Sequence, residues 1–203
     1  AYIAGLQRRA SQGQPLERIA SVASFFVSRV DTMVDRLLEA RLQQAAGDPA
    51  TQARIKPLLG QTAIANAKIA YQRFKRIFAA EPFLSLQQRE ARVQRQRPLW
   101  ASTSSKNPQY RDVVYVEELI GPETVNTMPP STLEAFRDHG RVRPSLEENV
   151  EHAYAVFAQL ADLGIDMDRV YHDLQIAGVQ AFTESMQSLL GCIRERQVEL
   201  RGA

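Results

Sequence analysis

Three short apolar runs, each leading into a stretch of helical character, constrain the fold of this chain more than any other feature. The first, Ile19 to Val27 (IASVASFFV), is rich in β-branched and aromatic residues and carries no charge. That continuity is expected of a strand buried on both faces. The second, Pro98 to Thr103 (PLWAST), ends in small hydroxyl residues, and the third, Glu123 to Met128 (ETVNTM), is stopped by Pro129-Pro130. Strands alternating with helices predict an α/β protein with a parallel sheet.

The segments between these runs read as helix. Residues 1–11 resemble the end of an amphipathic helix, closed by the turn formers Ser11 to Pro15. Asp31 to Ala46 carries Val34, Leu37, Leu38 and Leu42 on one stripe, and Gly47-Asp48-Pro49 ends it. Thr62 to Phe78 repeats Ile64, Ala67, Tyr71, Phe74 and Phe78 at helical spacing, and its polar face is expected to hold Lys68, Arg73, Lys75 and Arg76. A further helix is expected over Ser85–Arg95, and another from Asn107-Pro108 to about Leu119. Ser131, with Glu134 three residues on, has the spacing of a capping box. Residues 145–163 and 166–200 complete the helices, with Gly191 counting against an unbroken last one. Glu117-Glu118 and Glu147-Glu148 are expected on exposed helix faces.

Composition removes several functions. With 25 Lys+Arg against 23 Asp+Glu, the net charge of +2 gives no electrostatic case for nucleic acid or a membrane surface. No apolar run approaches the roughly 20 residues that span a bilayer. The single cysteine, Cys192, forms no internal disulfide, builds no Cys-based metal site and fits a reducing cytoplasm. The three histidines have no metal-ligand spacing. The chain opens Ala-Tyr-Ile-Ala-Gly-Leu without an initiator Met, so the natural protein is expected to begin upstream.

Two strand ends hold the residues best suited to chemistry. Ser24 and Arg29 close the first run, where α/β barrels place their functional groups. Arginine presents a planar fork of donors suited to phosphate oxygens. Arg29 therefore either grips an anion or pairs with Asp31 or Asp35 at the helix start. The second run ends Ala101-Ser102-Thr103-Ser104-Ser105-Lys106-Asn107, either a polar loop or an anion site built from backbone amides and an ammonium. Lys68, in ANAKIAYQRF, reads as a solvated helix face rather than an amine nucleophile, which needs desolvation or a cationic neighbour.

Taken in order, SFFVSRVD and LWASTSSKNPQY resemble the sixth- and seventh-strand segments of the transaldolases and ELIGPETVNTMP the approach to the eighth strand, most closely in the actinobacterial and cyanobacterial type. The resemblance covers essentially the whole chain. It implies the C-terminal portion of a (β/α)8 TIM barrel, helix-rich with three short parallel strands, as a single partial domain over residues 1–203. It also implies that Ser24 and Arg29 bind the substrate phosphate with Ser102 and Lys106, and that Phe26 lies beside the reacting centre. Other transaldolases have an Arg directly after the Ala-Ser pair; here Lys106 stands slightly further along. The implied reaction moves a dihydroxyacetone unit from sedoheptulose 7-phosphate to glyceraldehyde 3-phosphate through a Schiff-base lysine, with no metal or organic cofactor. That lysine belongs to the fourth strand, and none of Lys56, Lys68, Lys75 and Lys106 matches it, so the chain alone is expected to be inactive. The competing reading is a non-catalytic helical interaction module. Adjacent parallel pairing of the three runs separates the two.

Overall fold

In a computed structural model, which describes residues 1–90 and 92–202, the three apolar runs form one sheet. The strands are β1 (Ser21–Phe26), β2 (Gln96–Ala101) and β3 (Val125–Asn126), paired in parallel in chain order. Ser21 to Phe26 lie in register with Gln96 to Ala101, and Leu99 and Trp100 face Val125 and Asn126. A purely helical module has no such sheet. The third strand is only two residues long, because Glu123 takes a left-handed backbone (φ 56°) before it and Pro129-Pro130 follow it closely.

Period-two alternation gives the sheet two unlike faces. Phe25, Pro98 and Trp100 lie on one side, with Trp100 fully buried and the Phe25 and Trp100 rings 5.5 Å apart. Val22, Ser24 and Phe26 lie on the other and are exposed. The expectation of a strand buried on both faces therefore holds on one side only: Val22, Ser24 and Phe26 are exposed.

The helices are α1 (Tyr2–Ser11), α2 (Val27–Gln44), α3 (Pro49–Ile55), α4 (Thr62–Phe78), α5 (Glu81–Arg89), α6 (Val114–Glu117), α7 (Pro130–His139), α8 (Val150–Asp162) and α9 (Met167–Gly202). Each of α1 to α8 belongs to one compact unit, Ala1–Gly164; α9 belongs to a second, Ile165–Ala203. Within the first, α4 packs against α2, α8 and β2. Its buried aromatics continue into α5 through centroid distances of 5.7 Å (Tyr71–Phe74), 5.2 Å (Phe74–Phe78) and 4.8 Å (Phe78–Phe83). Asp48 starts α3 by accepting from the amides of Ala50 and Thr51, with Pro49 in the first turn, where its missing N–H costs nothing.

Several expectations change. The helix expected over Ser85–Arg95 runs Glu81–Arg89, and residue 91 of that span, like residue 203 of the expected 1–203 domain, lies outside the described residues. The helix expected from Asn107 shrinks to Val114–Glu117, because Asn107 instead turns the chain by accepting from the Gln109 amide. No capping box forms at Ser131: α7 begins at Pro130, and Glu134 bonds Arg137 instead. Glu117 is buried, not exposed. Arg111 donates to both its oxygens (2.9 and 3.0 Å) and the Arg141 amide adds a third bond, which together hold its carboxyl below the usual range. The last helix runs unbroken through Gly191; a cost of about 1 kcal/mol for one interior glycine does not interrupt 36 residues.

The asymmetry of the sheet is testable by substitution. Trp100→Ala should lower the unfolding free energy of the chain by about 3–5 kcal/mol, read from urea midpoints. Val22→Ser, on the open face, should change it by no more than about 0.5 kcal/mol. A Val22→Ser loss as large as that of Trp100→Ala would mean that the open face is covered in solution.

Candidate functional site

Strand β1 passes into α2 without a loop. Phe26 is the last strand residue and Val27 the first helical one. Ser24 and Phe26 thus share the open face of the sheet, and Arg29 falls in the first turn of α2. Its guanidinium carbon lies 5.1 Å from the centre of the Phe26 ring, a cation–π contact. The first turn of α2 contains no acidic residue, so the positive end of the helix dipole and the Arg29 cation are adjacent.

Arg29 is not held by either aspartate on α2, since both are engaged elsewhere. Asp31 accepts from the Ala63 amide (2.7 Å) and the Tyr115 hydroxyl (2.7 Å). Asp35 accepts from the Gly60 amide (2.9 Å) and the Tyr110 hydroxyl (2.8 Å). One turn apart on the inner side of α2, Asp31 receives an amide that the first turn of α4 leaves without a helical partner, and Asp35 the amide of Gly60 in the turn before that helix.

The end of β2 meets the same region. Ser102 has a left-handed backbone (φ 54°), and its carbonyl accepts from the amide of Ser28, the neighbour of Arg29 (3.1 Å). Thr103 is fully buried, and its hydroxyl lies 2.9 Å from Asn126 Oδ1 and 3.2 Å from the Thr127 carbonyl. The C-terminal ends of all three strands are thereby linked. Lys106 donates to Ser104 within its own loop (2.9 Å) and lines a cleft of about 270 Å³ with Asp35, Arg36 and Glu39 on α2. Phe26 and Arg29 are in contact, Ser24 shares their face and Ser102 is one residue from Arg29 through Ser28; Lys106 lies along α2.

Burial dominates the titrating groups. It pushes the Asp31 carboxyl up to about 6, against the opposing bonds from Tyr115 and Ala63 and with a further push from Asp35. Asp35 is raised for the same first reason, and the Tyr110 and Tyr115 phenols are raised by burial and by these carboxylates. Lys68 is a correction: it is 5% exposed, not a solvated face. It donates to the Glu148 carbonyl (2.8 Å), lies 3.9 Å from Glu118, and is lowered by desolvation. It sits on α4, not at a strand end. Among the described residues no group of His, Cys, Asp and Glu is arranged to hold a metal ion, and no helix is long and apolar enough to cross a membrane.

Asn126, Tyr110 and Tyr115 are not marked by any motif in the sequence. The available signal was Asp31 and Asp35 themselves: carboxylates in the register of Val27, Val30, Val34 and Leu38, an apolar stripe, require buried donors.

These features define a parallel α/β protein whose strand ends gather hydroxyls and an arginine on one open face. The family model for Transaldolase/Fructose-6-phosphate aldolase matches residues 5–193, and the chain belongs to that family. It is 44% identical over 198 residues to "Transaldolase 2" of Nostoc punctiforme, covering 97% of this chain and 51% of the relative. It is 45% identical over 197 residues to the transaldolase of Frankia alni (97% and 50%) and 48% identical over 193 residues to that of Thiobacillus denitrificans (95% and 51%). The chain thus spans about half the length of the curated relatives it matches.

The Asp31 environment sets a pH dependence. Because the folded carboxyl holds its proton up to about pH 6 and the unfolded one only to about pH 4, the folded chain binds more protons between these values. Stability from this group is therefore greatest below pH 4, falls as pH rises to 6, and is flat above, by about 3 kcal/mol in all. The difference in urea midpoint between wild type and Asp31→Asn should shift with that sign between pH 4 and pH 7. A difference constant over that range would contradict the buried carboxyl.

Proposed function

We propose that the chain contributes strands six to eight of a transaldolase (β/α)8 barrel, as one partial domain over residues 1–203. In this reading Ser24, Arg29, Ser102 and Lys106 bind the phosphate of a sugar-phosphate substrate, and Phe26 lies beside the reacting carbon. The observation that carries it is Arg29: exposed, over Phe26, in a helix first turn without acidic residues, at the C-terminal end of a parallel sheet. A cation at the positive end of a helix is unfavourable unless an anion joins it. A phosphate dianion would accept from the guanidinium and lie near the α2 amides together.

The reaction in this reading is transfer of a dihydroxyacetone unit from sedoheptulose 7-phosphate to glyceraldehyde 3-phosphate in the pentose phosphate pathway, in the cytoplasm. Its Schiff-base lysine lies outside these 203 residues, and the chain by itself is inactive. In support, Lys56, Lys68 and Lys75 are on helical segments and Lys106 is on a loop; none is on a strand. The reading calls on no metal or organic cofactor: the residues proposed here bind and orient the phosphate, and the covalent step belongs to the lysine.

Kinetics of a full-length enzyme that contains these residues test the assignment. Arg29→Ala should raise KM for phosphorylated sugars about 10- to 100-fold, the loss of a charged hydrogen bond of roughly 1.5–3 kcal/mol. Lys106→Ala should act in the same direction more weakly, because an ammonium lacks the bidentate fork. Unphosphorylated ketoses should be nearly unaffected. Equal damage to both substrate types would make Arg29 a structural residue and remove the phosphate site.

A further inference from the structure

We propose that Tyr110 and Asp35 are positioning residues: their hydrogen bond clamps the loop between β2 and α6 against α2 and so sets Lys106 relative to Arg29. This inference rests on the phosphate-site reading above for its functional consequence, but the clamp itself is a separate geometrical statement.

The loop from Ser102 to Val113 contains neither strand nor helix. Its first end is fixed to the strand ends through Ser102 and Thr103. The bond from Lys106 to Ser104 is internal to the loop and cannot fix its position. Tyr110 supplies the fixed point that follows Lys106 and the one that ties the loop to α2, its hydroxyl 2.8 Å from Asp35 Oδ2; Arg111 beyond it is held by Glu117 and the His139 carbonyl. Asp35 is 7% exposed, and its other oxygen accepts from the Gly60 amide. Three segments, α2, the turn before α4 and the loop, therefore meet on one carboxylate.

Gly60 is shaped for this contact. Its backbone is left-handed (φ 71°), and a Cβ there would stand 2.8 Å from Tyr110 Cζ, so the aromatic ring occupies the space that a side chain would need. Asp35 lies six residues after Arg29 on the same helix, and Tyr110 lies four residues after Lys106. The clamp thus joins the two segments from which the site's cations come. A bond to a buried carboxylate is stronger than a neutral one, and its loss frees the residues between the two fixed points.

The test uses the 203-residue chain, with amide hydrogen exchange and inorganic phosphate binding as readouts. Tyr110→Phe keeps the ring over Gly60 and removes only the hydroxyl. Exchange at residues 104–109 should rise about tenfold while exchange in β1 and α4 stays unchanged. The dissociation constant for inorganic phosphate should rise several-fold, and Tyr110→Phe should add nothing further in a Lys106→Ala background. Asp35→Asn, which retains one acceptor oxygen, should fall between wild type and Tyr110→Phe. Unchanged loop exchange in Tyr110→Phe overturns the clamp, whatever phosphate does. A further loss of phosphate affinity in the Lys106→Ala background also overturns it. If wild type binds no phosphate and the loop still loosens, the clamp stands and the phosphate assignment falls.

Discussion

The direct passage of β1 into α2 fixes most of what surrounds it. With no loop between Phe26 and Val27, the helix phase is set by the strand. Arg29 falls over Phe26, the Ser28 amide meets the Ser102 carbonyl, and Asp31 and Asp35 turn inward, to the start of α4 and to the turn before it. One inserted residue would rotate α2 by about 100° (3.6 residues per turn) and break all of these contacts at once. The same junction therefore serves both the scaffold and the candidate site.

The strands were legible because their β-branched and aromatic runs contrast with the helical repeats around them, and their parallel order followed from the alternation of elements. What escaped was decided by tertiary partners. Nothing local marks Lys68 as buried; it is drawn in by the Glu148 carbonyl and Glu118, which lie far along the chain. Glu117 reads as a surface acid until Arg111 and the Arg141 amide enclose it. The Ser131 capping signal lost to Pro130, which already suits a first helical turn. Arg29 and Ser24 could be named as candidates from type and position, whereas Tyr110 on the β2–α6 loop and Tyr115 on α6, which engage α2, could not.

The open sheet face is a different kind of feature. Val22 and Phe26 are each 39% exposed, and Ser24 stands between them. Apolar residues flanking a polar one on an uncovered face suit a surface that is partly packing and partly site. The α9 helix has an exposed apolar side of its own: Val179, Phe182, Met186, Leu189 and Ile193 recur at spacings of three and four residues and are all exposed. Both surfaces sit in a chain that spans half the length of its relatives.

Strongly shifted titrating groups often mark a reaction centre; here burial and contacts between segments account for the shifts. Asp31, Asp35, Tyr110, Tyr115 and Lys68 owe their shifts first to burial. Every one of them is engaged in holding one backbone segment to another. Lys68 has the desolvation expected of an amine nucleophile, but its ammonium is bonded to a backbone carbonyl and lies between helices α4, α6 and α8 rather than at the strand ends. Arg29 and Ser24, by contrast, are exposed and lie where the sheet opens. The phosphate site proposed above calls for that arrangement: an anion needs permanent donors held in fixed directions, not a proton poised to move. The buried acids fix α2 against α4 and the β2–α6 loop, and the directions of the exposed donors follow from that rigidity.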